Sequence, residues 1–259
     1  MSAIAAVPRG LSYDLVIATR NRAEALSLSL PLIIDQSVPP RRLIVVDSSD
    51  DPAPAAAAVA AATSGWGGEV RLHHVAPGLT RQRNIGLGEV TAPIVFFFDD
   101  DALVHPGAAE DILSVYARDT DKQIAGVAAA EAKVPPGGSL PDQAWCMSDT
   151  HRKEARRRGL RHRLERRLTA LKPSIFLGAT LNSRHEVPAW LDAFDAVPVE
   201  YMTGFRMTFR TAAIRAAGFD ETLLGYGLDE DIDASFSAMA SGLVVAARRA
   251  RVYHHRALG

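Results

Sequence analysis

The sequence predicts an α/β fold in which a parallel sheet is covered by helices. Two observations carry that expectation: short apolar runs alternate with helix-like stretches through the first half of the chain, and unusual polar residues stand where several apolar runs end. Tyr13 to Ala18 reads as the first strand, followed by a helix from about Arg22 to Asp35. Leu43 to Val46 is a second strand ending at Asp47, and the alanine-rich stretch from Pro52 to Thr63 is a strong helix former. Val70 to Val75 gives a third strand, and Leu79 to Leu87 a short helix after Gly78. Pro93 to Phe98 is apolar on both faces, which places it in the middle of the sheet, and it runs straight into Asp99-Asp100-Asp101. A helix from Pro106 to Tyr116 and a strand from Ile124 to Ala130 follow.

Pro135, Pro136, Gly137 and Gly138 then mark a loop. Beyond it a basic helix carries Leu160, Leu164, Leu168 and Leu171 on one face. Val197 to Met202 is strand-like and leads to Gly204, while Thr211 to Ala217 is a helix capped by Gly218. A last helix begins near Asp229 and stops at Gly242, with strand-like segments at 243–246 and 252–253. The expectation is one domain over residues 1–259.

Composition narrows the function classes. The 259 residues carry a formal net charge of -1, yet nine of the 29 Lys and Arg residues fall between Arg152 and Arg167. A general positive coat for nucleic acid is excluded and no nucleic-acid partner is expected; a local basic handle is not excluded. No apolar run reaches the roughly 18 residues needed to cross a bilayer, residues 1–12 lack the pattern of a signal peptide, and Cys146 alone forms no internal disulfide. A cytoplasmic protein is expected, with 151–171 able to touch the inner face of an anionic membrane. The simpler reading of that helix packs its leucines on the body and leaves its arginines in water.

The polar strand ends carry the chemistry, because open parallel sheets bind ligands at the carboxyl ends of their strands. Three successive carboxylates after a buried strand repel one another unless a cation neutralises them, and the simplest occupant is a divalent metal. Alternation along an extended chain turns Asp99 and Asp101 the same way and Asp100 elsewhere. Arg81, Arg83 and Asn84 precede that strand and can place guanidinium groups near a diphosphate. Helix capping explains one or two carboxylates of Asp229-Glu230-Asp231-Ile232-Asp233 but not four, so one is free to act as a general base. His254 and His255 end a strand-like segment where an imidazole can complete a metal site.

In these residues the chain resembles family 2 glycosyltransferases, inverting enzymes of the GT-A fold, over about residues 13–102 and 198–255. Asp14 to Arg22 is similar to the opening strand and its polar turn, Val45 to Asp50 to the nucleotide-recognition turn, and Gly78 with Arg83-Asn84 to the segment before the metal strand. Phe98-Asp99-Asp100-Asp101 is similar to the DxD motif; Gly204 to Arg210, Gly218 to Glu221 and Glu230-Asp231 resemble the acceptor-side signature. Ser48 stands where the family often has a second aspartate, and a single Gly218 replaces its frequent glycine pair.

The resemblance implies a Rossmann-like, mostly parallel sheet with a smaller antiparallel portion on the acceptor side. It divides the chain into a nucleotide-sugar half at about 13–130, a variable segment at about 131–196 and an acceptor and catalytic half at about 197–259. It further implies a nucleotide-diphosphate sugar donor, a UDP-sugar foremost, and a hydroxyl acceptor on a glycan, a lipid-linked species or a small molecule. Thr19, Asn21 and Asp47 would hold the nucleoside, Arg83 the nucleoside or diphosphate, with Asp99 near the ribose and Asp100 lining the donor site. Asp101 with His254 or His255 would bind Mn²⁺ or Mg²⁺. Asp231, or failing that Glu230, would be the base, and Gly204 and Arg206 would face the acceptor. Two other readings are a nucleotidyltransferase, disfavoured because Ala18 to Arg22 holds neither glycine nor lysine, and a non-catalytic module binding nucleic acid or membrane through its basic helix.

Overall fold

The computed structural model describes residues 11–138, 181–223 and 229–256. The expected basic helix over 151–171 lies outside the described residues, as does Cys146. Chain order runs β1 (Tyr13–Thr19), α1 (Ala23–Ile34), β2 (Arg42–Asp47), α2 (Ala53–Ala62), β3 (Glu69–His74), α3 (Leu79–Glu89), β4 (Ile94–Phe98), β5 (Ala102–Val104), α4 (Ala108–Arg118) and β6 (Ile124–Glu131). After a 3-10 turn at Ala189–Phe194 come β7 (Ala196–Pro198), β8 (Arg206–Arg210), α5 (Thr211–Arg215), α6 (Glu230–Ala238) and β9 (Leu243–His254).

Among the described residues the strands form one sheet in the order β3-β2-β1-β4-β8-β6-β9-β5, with β7 pairing β9. Strands β1 to β4 are parallel, and their register sets Thr19 beside Asp47 and Asp47 beside His74, so three carboxyl ends share one rim. The antiparallel portion begins where β8 pairs with both β4 and β6. Phe96 and Phe98 pack on the face covered by α1, α2 and α4, while Phe97 packs on the face covered by α3, α5 and α6. Tyr13 stacks on Phe96 at 4.0 Å between centroids, and Phe97 meets Phe219 edge-on at 5.0 Å. This two-sided burial is what an apolar central strand requires.

Three expectations are corrected. The strand expected over 197–202 is only β7, and the buried neighbour of β4 is instead β8, whose flanking Arg206 and Arg210 disguise the apolar Met207 and Phe209. The short β5 directly after the aspartates was not anticipated. The segments at 243–246 and 252–253 are one strand, β9, interrupted in the sequence by exposed Arg248 and Arg249 where its register against β6 shifts between Ala129 and Ala130. Gly218 does cap α5: its φ is +71° and its N–H donates to Ile214 C=O at 2.8 Å.

Asp14 is fully buried in β1, where its carboxylate accepts from Arg41 and from the backbone N–H groups of Thr91 and Ala92 at 2.7 and 2.9 Å. Asp14→Ala removes the carboxylate that accepts from those two amides. It is expected to lower unfolding free energy by about 2–4 kcal/mol, read from urea midpoints.

Candidate active site

The rim at the carboxyl ends of β1, β2 and β4 gathers most of the residues singled out by the sequence. Asn21 turns the chain after β1 with φ +54°, and its side chain binds Asp50 twice, donating to Oδ2 at 2.8 Å and accepting the Asp50 N–H at 2.9 Å. Thr19 donates to Asp100 Oδ2 at 2.7 Å. At the end of β2, Asp47 is buried and Ser48 donates to Gln82 Oε1 at 3.2 Å. Gln82 lies beneath both turns and donates to Thr19 C=O at 3.0 Å and Val46 C=O at 2.7 Å.

Beyond β4 the chain is not extended: Ala102 N–H donates to Asp99 C=O at 3.1 Å, closing a tight turn. Asp99 and Asp101 still converge, and with His254 they place one ligand atom each within 4.8 Å of one another. His254 arrives because β9 pairs antiparallel with β5, setting Ala102 opposite it. Its Nε2 lies 3.3 Å from Asp101 Oδ1, and its ring stacks on Phe205 at 4.4 Å and 12°. His255 is outside this set, and its backbone N–H donates to Asp101 C=O at 3.0 Å. Two carboxylates and one imidazole form an oxygen-rich donor set that fits Mn²⁺ or Mg²⁺.

Arginines supply part of the countercharge that the triple aspartate requires. Arg22 reaches Asp100 at 2.8 Å and also pairs with Asp101, and Arg83 reaches Asp99 at 2.9 Å. Burial pushes the Asp100 carboxyl up to about 7 against the pull of Arg22 and Thr19. Burial acts the same way on Asp101, but His254 and Arg22 outweigh it and hold that carboxyl below the ordinary range.

Arg83 also joins the two halves of the chain. Its guanidinium pairs with Glu230 at the head of α6 and donates to Gly204 C=O at 3.4 Å, while the adjacent Asn84 is bonded to Phe219 through both its amide atoms. Gly204 is close-packed there: a Cβ would sit 3.1 Å from both Arg83 and Glu230. Asp231 is half-buried, and its oxygens accept the N–H groups of Gly204 at 2.9 Å and Ile232 at 2.8 Å. Arg206 donates to Ala129 C=O, with its guanidinium 5.2 Å from the Phe205 ring centre. Arg22, Ser49, Gln82 and Phe205 complete the site but were not singled out beforehand. Arg22, Ser49 and Phe205 lie inside motifs that the sequence offers, whereas Gln82 carries no signal of its own.

Burial pushes the Glu230 carboxyl up to about 7, with Arg83 opposing, against an ordinary value of about 4.3. Between those values the folded chain holds this proton and the unfolded chain does not, so the Glu230 contribution to stability is greatest in acid and declines as pH rises from about 4 to about 7. Denaturant midpoints across that range are expected to fall less steeply in Glu230→Gln than in the parent.

Among solved structures the chain is similar to GalNAc-T7 with UDP, GalNAc and Mn²⁺ (13% identity, TM-score 0.62), covering 95% of this chain and 44% of that one. It is similar to residues 1–349 of S. aureus TarS (14%, TM-score 0.55), covering 93% and 60%, and to the mannosyltransferase PcManGT from Pyrobaculum calidifontis in complex with GDP-Man and Mn²⁺ (16%, TM-score 0.54), covering 96% and 57%. The chain thus spans about half the length of the proteins it matches, and the likeness establishes the GT-A fold. No curated protein sequence matches the chain significantly. No helix among the described residues is long and apolar enough to cross a membrane. The family model described as glycosyl transferase family 2 matches residues 14–176, more than half the chain, and together with the GT-A fold it establishes that this protein belongs to glycosyl transferase family 2.

Proposed function

We propose that the chain is a metal-dependent, inverting glycosyltransferase that moves a sugar from a nucleotide-diphosphate donor, a UDP-sugar foremost, to an acceptor hydroxyl. The observation that carries this reading is the approach of Asp99, Asp101 and His254 on one side of Arg83 to Glu230 and Asp231 on the other. The UDP, GDP-Man and Mn²⁺ of the similar structures support the same donor class and metal.

In this reading Thr19, Asn21 and Asp47 hold the nucleoside, with Asp100 behind them and Arg83 toward the diphosphate. Asp99, Asp101 and His254 hold Mn²⁺ or Mg²⁺, which when bound offsets charge on the departing nucleotide diphosphate. Asp231 accepts the proton. The two backbone N–H groups on its carboxylate fix its orientation and leave lone pairs for an acceptor O–H. The acceptor oxygen bonds to the anomeric carbon as the bond from that carbon to the diphosphate oxygen breaks on the opposite face, so configuration inverts. Glu230, 6% exposed and paired with Arg83, suits a holding role better than proton transfer. Gly204 and Arg206 border the acceptor side. Contact of 151–171 with the inner face of a membrane belongs to this proposal as the place where a lipid-linked acceptor would be met.

Calorimetric titration of UDP, GDP and dTDP, with and without Mn²⁺, tests the reading. One nucleotide is expected to bind only when metal is present; absence of binding by all three in Mn²⁺ overturns it.

A further inference from the structure

The two oxygens of the Asp47 carboxylate have unequal surroundings. Oδ1 accepts the Ser49 N–H at 2.9 Å and the Ser49 hydroxyl as well. Oδ2 has no hydrogen-bond partner among the described residues, although Asp47 is 1% exposed. The Ser49 hydroxyl is itself held in place, since it accepts the Asn21 N–H at 2.7 Å while the Ser49 carbonyl meets His74 Nε2 at 2.9 Å. Asn21 is locked in turn to Asp50. The hydroxyl therefore cannot leave Oδ1 without breaking a network that spans both turns. Asp47 Oδ2 is thus a buried acceptor to which the described residues supply no donor.

We propose, resting on the nucleotide-donor reading above, that Ser49 is a specificity-determining residue. By occupying Oδ1 it leaves Asp47 one acceptor for the base. Uracil and thymine present a single imide N–H between two carbonyls, which one carboxylate oxygen satisfies. Guanine presents two adjacent donors, N1–H and N2–H, that need both oxygens, so one would be left buried and unpaired. Adenine and cytosine would turn a ring-nitrogen lone pair toward the carboxylate. The donor is accordingly a uridine or thymidine diphosphate sugar.

Calorimetry with Mn²⁺ present provides the test, using UDP, GDP and N3-methyl-UDP on the parent, Ser49→Ala and Ser49→Thr. The parent is expected to favour UDP over GDP by at least ~10-fold and to lose a similar factor when N3 is methylated. Ser49→Ala keeps the backbone N–H on Oδ1 but releases the lone pair that the hydroxyl occupied, and is expected to shrink the UDP-to-GDP ratio by ~5-fold or more, with Ser49→Thr keeping the parent ratio. A merely structural role would weaken both nucleotides in proportion. Equal binding of UDP and GDP by the parent, indifference to N3 methylation, or an unchanged ratio in Ser49→Ala overturns the inference. The methylated nucleotide needs only the parent protein, so the outcome does not depend on how the variants fold. Nucleotide binding without this selectivity sinks Ser49 alone, whereas no nucleotide binding at all sinks the donor reading as well.

Discussion

Asp231→Asn is expected to lower kcat for sugar transfer by about 10²–10⁴-fold while leaving metal-dependent nucleotide binding within about twofold of the parent. Asparagine keeps the shape of the side chain and a carbonyl oxygen for the Gly204 N–H, so the loop and the head of α6 remain joined. What it loses is the capacity to take a proton from a hydroxyl. Burial raises the Asp231 carboxyl above its ordinary range of about 3.9, against the pull of the Gly204 and Ile232 amides. The base must be ionised to act, so kcat/KM is expected to rise with pH along an acid limb displaced above that value. Initial rates across pH, together with nucleotide titrations of the variant, check both parts. Full activity in Asp231→Asn combined with its loss in Glu230→Gln would move proton transfer to Glu230.

Asp101→Ala is expected to weaken Mn²⁺ binding by more than about 100-fold, since even partners one shell removed from a metal are worth 10–100-fold. Nucleotide binding that requires the metal should disappear with it. Asp101 is 2% exposed and meets both His254 and Arg22, so its removal also leaves the half-buried Arg22 guanidinium with less countercharge. Asp101→Asn, which keeps the volume, separates loss of the ligand from loss of packing. Manganese binding followed by electron paramagnetic resonance gives a readout independent of turnover. Parent-like manganese affinity in both variants would remove Asp101 from the metal set.

The legible parts of the chain are those whose pattern is local. Five-residue runs such as Ile94 to Phe98 announce a buried strand because every side chain is apolar. The polar residues that interrupt these runs fall on the rim of the sheet for the same reason. Strand β8 escaped notice because Thr208 sits fully buried between two apolar residues, its hydroxyl donating to Val127 C=O at 2.6 Å. A local reading counts that threonine as polar. The bond that makes it a core residue lies 81 positions away in sequence. Strand β9 was divided because three arginines after Ala247 interrupt its hydrophobic pattern. Ser48 likewise reads as a departure from an acidic pair, whereas in the fold it faces Gln82 beneath the turn.

Sequence by itself determined the parallel half of the sheet, the rim on which polar residues would gather, and the family. Tertiary structure alone decided that His254 and not His255 joins Asp99 and Asp101, that Arg22 and Arg83 divide the aspartates between them, and that Ser49 occupies one oxygen of Asp47. The reason is the range of the interactions. Backbone periodicity is written in adjacent residues, but the choice between two neighbouring histidines follows from the pairing of β5 with β9, two strands some 150 positions apart that meet only when the sheet closes.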